Sequence, residues 1–238
     1  MHKTILLITH EQTSATDTGI VGRILREAEH TVITHAMFRK GADGALKVDV
    51  NFPPLEGIDA VIAFGSFSHI YGITEDWLRS EIDYVAEIHS RGIPYMGICF
   101  GAQLLAEGLG GRTVPSARIE VGLITFDAGF SCPISSGPWF SWHSDKVELP
   151  DGVEILAKTA IAPQVFRQGR SIGLQFHPEV NLELLREWVR IGGSELDGVL
   201  NHGQLLKDWA DNEDQVHQNT RVILDWFLVG ADAPTPVG

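Results

Sequence analysis

Tyr95-Met96-Gly97-Ile98-Cys99-Phe100-Gly101-Ala102-Gln103-Leu104-Leu105-Ala106 is the stretch on which the reading of this chain turns. Arg91-Gly92-Ile93-Pro94 marks a stop and a turn before it. Tyr95 to Ile98 is then short and apolar, as a strand should be, and runs directly into an apolar helix from Ala102 to Leu109. Cys99 stands at the junction with Gly97 and Gly101 two positions to either side, the mechanical arrangement of a G-x-S-x-G elbow. Such a turn holds its central residue in a strained backbone conformation, and glycines at those positions avoid side-chain collisions. The helix that starts beside it directs N–H groups and the positive end of its dipole at the sulfur, favouring the thiolate that attacks a carbonyl.

Working outward, the first half of the chain alternates short apolar runs with amphipathic stretches, the pattern of parallel strands joined by crossover helices. Strands are expected at Lys3 to Thr9, Thr31 to Phe38 and Ile58 to Phe64, with a helix over Gly19 to Glu29. Trp77, Ile82, Val85 and Ile88 recur at helical spacing within Thr74 to His89, with Thr74 as the expected N-cap. From Arg112 to Arg170 the texture changes to short strand-like pieces between Gly, Pro, Ser and Asp, read as antiparallel additions to the sheet. Cys132 to Pro138 is read there as a surface loop. Ser171 to Phe176 is a last apolar strand, followed by a helix from about Asn181 to Arg190. The expected class is α/β: a doubly wound, mostly parallel sheet with helices on both faces, plus a helical C-terminal tail. Residues 1–192 form the domain. Residues 193–238 form an extension packed on it through Leu205, Leu206, Trp209, Val222, Ile223 and Trp226, with a frayed final stretch.

The 238 residues are 44% hydrophobic, enough to bury one sizeable core. A formal charge of −13 would repel a phosphate backbone or an anionic lipid surface, so neither nucleic acid nor membrane is expected as a partner. The apolar run Ile5 to Ile8 is too short for a secretory signal, and a cytoplasmic protein is expected. The two cysteines, Cys99 and Cys132, are too few for a disulfide framework. Cys132 reads as a loop or core thiol.

A thiolate that attacks an amide needs a partner to protonate the leaving amine, and a histidine held by a carboxylate serves that purpose. His177 and Glu179 supply the pair: two residues apart on an extended segment, they project to the same side. They follow the carboxyl end of a strand, as Cys99 does, which is where open α/β sheets carry their sites. A His-x-Glu pair also occurs in zinc deaminases, but the Pro-Cys-x-x-Cys that accompanies it there is absent. His10, His35, His69 and His89 show no metal-ligand spacing and read as surface or satisfied core residues, so neither metal nor cofactor is expected. Gly108-Leu109-Gly110-Gly111 follows a helix instead of opening one, and reads as a cap and turn, not a phosphate loop.

Through Gly97-Ile98-Cys99-Phe100-Gly101-Ala102-Gln103 and Gln175-Phe176-His177-Pro178-Glu179 the chain resembles the class I glutamine amidotransferases, over roughly residues 40 to 190. Trp142-His143-Ser144-Asp145-Lys146-Val147 is similar to that family's substrate-side loop, as in the amidotransferase part of GMP synthase. The resemblance implies a flavodoxin-like fold and a γ-glutamyl thioester on Cys99, with His177 moving the proton and Glu179 orienting His177. It implies an oxyanion hole from the backbone N–H groups of Phe100 and of Gly65, in a stretch that aligns with the family's Gly-Gly-Pro-x-Ser loop. Gln103, Trp142 and the backbone around His143 and Ser144 would recognise the glutamyl portion. The chain departs from the pattern at Phe64-Gly65-Ser66 and at Trp142-His143-Ser144-Asp145.

Two uses of that chemistry follow. Phe64, Phe67, Tyr71, Trp139 and Trp142 near the expected mouth could bind an apolar amine substituent, which favours hydrolysis of a small γ-glutamyl compound to glutamate and an amine. The alternative is a glutaminase that supplies ammonia from glutamine to a separate synthetase subunit, since the 238 residues are taken up by the amidotransferase region and tail. A noncatalytic binding subunit is the third reading, opposed by the presence of Cys99, His177 and Glu179 together. Either enzyme reading makes a small molecule the substrate and leaves a homo-oligomer open.

Overall fold

The computed structural model describes residues 2–10, 18–40, 45–71, 75–128, 132 and 134–230. In chain order the strands and helices begin with β1 (Thr4–Thr9), α1 (Gly19–Glu27), β2 (Thr31–Ala36), β3 (Phe38–Lys40), β4 (Leu46–Val48), β5 (Ala60–Ala63), α2 (Asp76–Ser90), β6 (Tyr95–Ile98) and α3 (Phe100–Gly108). Then come β7 (Arg112–Ile124), β8 (Asp127–Ala128), β9 (Trp139–Glu148), β10 (Glu154–Lys158), β11 (Pro163–Gln168), β12 (Ser171–Leu174), α4 (Leu182–Gly192), α5 (His202–Ala210) and α6 (Glu213–Asp225). A 3-10 turn at Gly193–Leu196 leads out of α4, and a π-helical turn at Trp226–Gly230 follows α6.

The eight-stranded sheet has the order β2-β1-β5-β6-β12-β11-β10-β8. Its first five strands are parallel and in register, with Ile5 opposite Ala60, Val61 opposite Tyr95 and Ile98 opposite Leu174. Taken alone, they run in the 2-1-3-4-5 order of a flavodoxin-like sheet. Residues alternate between the two faces, as the pleat requires. Ile5, Leu7, Ile62 and Ile98 face a core with α1 and the C-terminal helices, whereas Leu6, Ile8, Val61 and Tyr95 face a core with α2 and α3. Burial on both faces explains why these strands read as unbroken apolar runs.

The extension shares the first of those cores. Leu205, Trp209, Val216, Ile223, Leu224 and Phe227 are buried in the cluster that holds Ile5 and Leu7, each worth about 1.5–3 kcal/mol of burial. Leu206 and Trp226 are partly buried against it, but Val222 turns to solvent and is 59% exposed.

Several boundaries differ from the sequence expectation for local reasons. The expected strand Thr31 to Phe38 breaks at Met37, which is fully buried. Beyond it the chain turns off the sheet edge to pair Phe38 with Val48 in a separate hairpin. Helix α3 starts at Phe100, since the Cys99 carbonyl already accepts from the N–H groups of both Ala102 and Gln103, each at 3.0 Å. Helix α2 starts at Asp76; Thr74, the expected cap, lies outside the described residues, as does the final stretch 231–238. Of the region read as antiparallel additions, β8, β10 and β11 do join the sheet, while β7 and β9 make a ladder of their own, Arg112 opposite Glu148 through Ile124 opposite Trp139. The first half of β9 is fully buried and bonds to the segment beyond β12: the His177 N–H donates to the Phe140 carbonyl at 2.7 Å.

Candidate active site

Four loops at the carboxyl ends of neighbouring parallel strands converge: His10 follows β1, Gly65 follows β5, Cys99 follows β6, and Gln175 to Glu179 follow β12. Cys99 lies at φ +50° and ψ −103°, a conformation that a residue with a Cβ rarely adopts. Its N–H is tied to the Leu174 carbonyl at 2.7 Å, so the neighbouring strand holds the turn in place. The flanking glycines are required by space. A Cβ on Gly97 would stand 2.3 Å from the Gly101 carbonyl oxygen, and one on Gly101 would stand 2.3 Å from the Ala63 carbonyl oxygen.

His177 is buried, and its Nδ1 donates to Glu179 Oε1 at 2.8 Å, which leaves Nε2 for the cysteine. Both its ring and Cys99 line one cleft, close enough for the charge of Cys99 to act on the imidazole. Burial works against protonation of this imidazole, yet the charges of Glu179 and Cys99, with the Glu179 hydrogen bond, push its pKa up to about 10. The Trp188 ring meets the imidazole edge-on, with centroids 4.7 Å apart, and fixes its plane from the other side. Gln175 also belongs here: it is buried, and its Nε2 donates to Cys99 Sγ at 3.7 Å. It lies two residues before His177, so strand alternation brings it to the same side as His177 and Glu179. That alternation is the signal in the sequence that could have singled it out.

The segment carrying His177 and Glu179 is held from behind by the C-terminal extension. Thr220 Oγ1 donates to the Pro178 carbonyl at 2.8 Å, and the Leu182 N–H donates to Glu213 Oε1 at 3.0 Å. From the other side the Ile20 N–H donates to the Glu179 carbonyl at 2.8 Å.

Gly65 closes the front of the site. A Cβ there would stand 3.0 Å from His177 Cε1 and 3.7 Å from Cys99 Cβ, so the backbone of Gly65 lies against both. Phe100 is the first residue of α3, where a helix N–H has no intrahelical acceptor. A cleft opens over Cys99, lined by Gly65 to His69, by Gln103, by Trp142 to Asp145, and by His177, Trp188 and Glu195. Gln103 and Trp142 are buried at its wall, and the Trp142 carbonyl lies 3.9 Å from Cys99 Sγ. Ser144 Oγ turns to Asp145 Oδ1 at 3.5 Å. The His143 ring is engaged elsewhere: Nε2 bonds Glu120 Oε2 at 2.9 Å and Nδ1 bonds the Asp145 carbonyl at 2.7 Å. Burial opposes ionisation of Glu120, but hydrogen bonds from His143, Thr159 and Gln164 hold its carboxyl below the usual range.

The aromatic mouth expected from the sequence is only partly formed. Phe67 and Trp142 line the cleft in edge contact, with centroids 6.2 Å apart. Tyr71 donates to Asp145 Oδ1 at 2.8 Å, and burial with that bond pushes its phenol up to about 12. Phe64 and Trp139 are core residues instead: Phe64 ends the buried run of β5, and Trp139 is fully buried and stacked on Phe176 at 4.6 Å. Trp188 and Glu195, which sequence reasoning missed, line the cleft because the helix and turn after Glu179 fold back over it. Among the described residues no group of three or more His, Cys, Asp or Glu is arranged to hold a metal ion. No helix among them is long and apolar enough to cross a membrane.

The sequence profile described as "Glutamine amidotransferase class-I" matches residues 16–189, most of the chain. The chain belongs to the class I glutamine amidotransferases. Among solved structures this amidotransferase is similar to a glutamine amidotransferase of Thermotoga maritima, with a TM-score of 0.82 at 24% identity over 96% of this chain and 99% of the other. It is also similar to a glutamine amido transferase of Methylobacillus flagellatus, with a TM-score of 0.79 at 18% identity over 97% and 96% of the two chains. Both likenesses bear on the fold. Among curated proteins it is 44% identical over 97 residues to a "GMP synthase [glutamine-hydrolyzing]" of Thermomicrobium roseum, covering 37% of this chain and 18% of that protein. A Thermus thermophilus protein of the same description is 35% identical over 132 residues, covering 48% of this chain and 25% of that one. The match thus spans a quarter or less of these relatives' own length.

Proposed function

We propose that this amidotransferase hydrolyses the side-chain amide of glutamine, and that the ammonia released serves a separate acceptor enzyme. One observation carries the first half: Cys99, in a strained turn at a helix N-terminus, shares one cleft with a buried histidine that Glu179 orients at 2.8 Å. In the reaction the Cys99 thiolate attacks the amide carbon, and the carbonyl electron pair moves onto oxygen, which the N–H groups of Phe100 and Gly65 receive. His177 gives its Nε2 proton to the leaving nitrogen as the carbon–nitrogen bond breaks, and ammonia departs from a γ-glutamyl thioester. A water that loses its proton to His177 then attacks the thioester, and glutamate leaves as the thiolate returns. Glu179 keeps the imidazole in the tautomer and orientation this requires, and Gln175 donates to the sulfur. Gln103, Trp142 and the backbone of His143 and Ser144 form the wall for the glutamyl portion.

The second half rests on the glutamine-hydrolyzing GMP synthases, whose matched stretch is only a part of each enzyme. They favour the ammonia donor over the γ-glutamyl hydrolase that the aromatic residues suggested from sequence, and two of those five aromatics are in the core. The second reading keeps one support, the apolar wall of Phe67, Trp142 and Trp188 beside the cysteine. Glutamate release from glutamine and from γ-glutamyl amides of increasing size separates the two, with C99A as the blank. Cleavage of glutamine alone, or only after a synthetase is added, supports the ammonia donor; faster cleavage of apolar γ-glutamyl amides supports the hydrolase. Absence of any Cys99-dependent release under all conditions would leave the noncatalytic reading.

A further inference from the structure

His10 and Glu81 form a second buried dyad. Their side chains have no exposure, His10 Nε2 lies 2.7 Å from Glu81 Oε1, and Glu81 Oε2 has no partner among the described residues. Exchanging a buried ionisable pair for hydrocarbon is often neutral or stabilising, so stability alone gives little reason for this one. Its position gives a better reason. His10 Nδ1 lies 3.3 Å from the Gly65 carbonyl; a carbonyl only accepts, so Nδ1 is the donor. The same ring meets Phe100 edge-on with centroids 4.9 Å apart. Thus one side chain touches both residues whose N–H groups would receive the oxyanion.

Gly65 needs such support. A side chain at this position would press on the buried His177 ring at 3.0 Å, and a residue without one is the most conformationally free in the chain. Only its backbone bonds can aim its N–H. On one side the Phe64 N–H is tied to the Ile8 carbonyl at 3.0 Å, and on the other His10 holds the Gly65 carbonyl. Glu81, on α2, sets the imidazole from behind, so the element that carries neither Cys99 nor His177 fixes the ring that holds the hole.

We propose that the His10–Glu81 dyad is a positioning device for the oxyanion hole, with His10 locking the Gly65 peptide and bracing Phe100, and Glu81 locking His10. This rests on the hydrolase reading above and adds residues to it. The test compares H10F, which keeps a ring against Phe100 but cannot donate to Gly65, with H10Q, which restores an amide donor, and with E81Q. Two rates are measured on each: steady-state glutamate release, and alkylation of Cys99 by iodoacetamide, a direct displacement at carbon that forms no oxyanion. Loss of a whole oxyanion donor lowers turnover on the order of 100-fold, so a misaimed one should lower kcat about tenfold or more in H10F. KM and the alkylation rate should stay close to wild type, H10Q should recover part of the loss, and E81Q should fall between. An unchanged kcat in H10F, or kcat and alkylation falling together, overturns the inference, because the dyad is then idle or merely holds the fold. Should H10F fail to fold, E81Q decides by the same two rates. Wild-type protein with no Cys99-dependent release, alone or with an acceptor enzyme, removes the hydrolase reading and this inference together, an outcome distinct from active wild type with an indifferent H10F.

Discussion

Replacing Glu179 with Gln exchanges one oxygen for nitrogen in the partner of His177 while keeping its size. The carboxylate accepts a charge-assisted bond at 2.8 Å from an imidazole with 5% side-chain exposure. A hydrogen bond to a charged group contributes about 1.5–3 kcal/mol, and each pKa unit corresponds to about 1.4 kcal/mol, so the His177 pKa should fall by about one to two units in E179Q. From its position near 10, the alkaline limb of glutamate release should move to about pH 8–9. The same energy, lost where positive charge is held on the imidazole in the transition state, predicts a drop of about 10- to 150-fold in kcat near neutral pH. The assay is glutamate release between pH 6 and 10.5, with iodoacetamide alkylation of Cys99 over the same range. The sign for stability follows. Raised above its unfolded value of 6.5, His177 contributes stability that is full below that pH and is lost as pH rises through about 10. Wild type should therefore unfold more readily with rising pH across that window, and E179Q should lose much of this slope. An alkaline limb that stays put in E179Q would refute the assignment of the raised pKa to Glu179.

G101A should fold poorly, since its methyl would meet the Ala63 carbonyl at 2.3 Å; destabilisation on the order of 3 kcal/mol is expected by urea titration. Limiting alkylating agent at pH 7 should label Cys99 before Cys132, because burial pushes the Cys132 thiol up whereas Cys99 shares its cleft with His177; peptide mapping reads the order. W209A should lower the stability of the whole domain by about 3–5 kcal/mol in a single transition, because Trp209 is fully buried in the core shared with the sheet. T220V should cost about 1–3 kcal/mol by leaving the Pro178 carbonyl unpaired, and should lower glutamate release by loosening the segment between His177 and Glu179.

The sequence by itself determined the parts of this protein that are governed by neighbours in the chain. The two-sided burial of β1, β5, β6 and β12 is written as apolar runs, and the elbow as a cysteine between two glycines. The contact of His177 with Glu179 is written as a two-residue spacing. Each depends on local backbone geometry, so periodicity and spacing suffice to read it. Tertiary structure alone decided which side chains share a space. Trp139 and Phe64 entered the core and Trp188 the cleft, since where an aromatic ring goes depends on what packs opposite it. Residues of β7 and β9 that read as sheet additions form their own ladder, because β9 is needed to bond the segment beyond β12. His10 and Glu81 are remote in sequence and carry no motif; they meet because β1 lies beside β5 in the sheet and α2 packs on the face that Leu6, Ile8 and Val61 present, and only that juxtaposition sets His10 against Gly65 with Glu81 behind it.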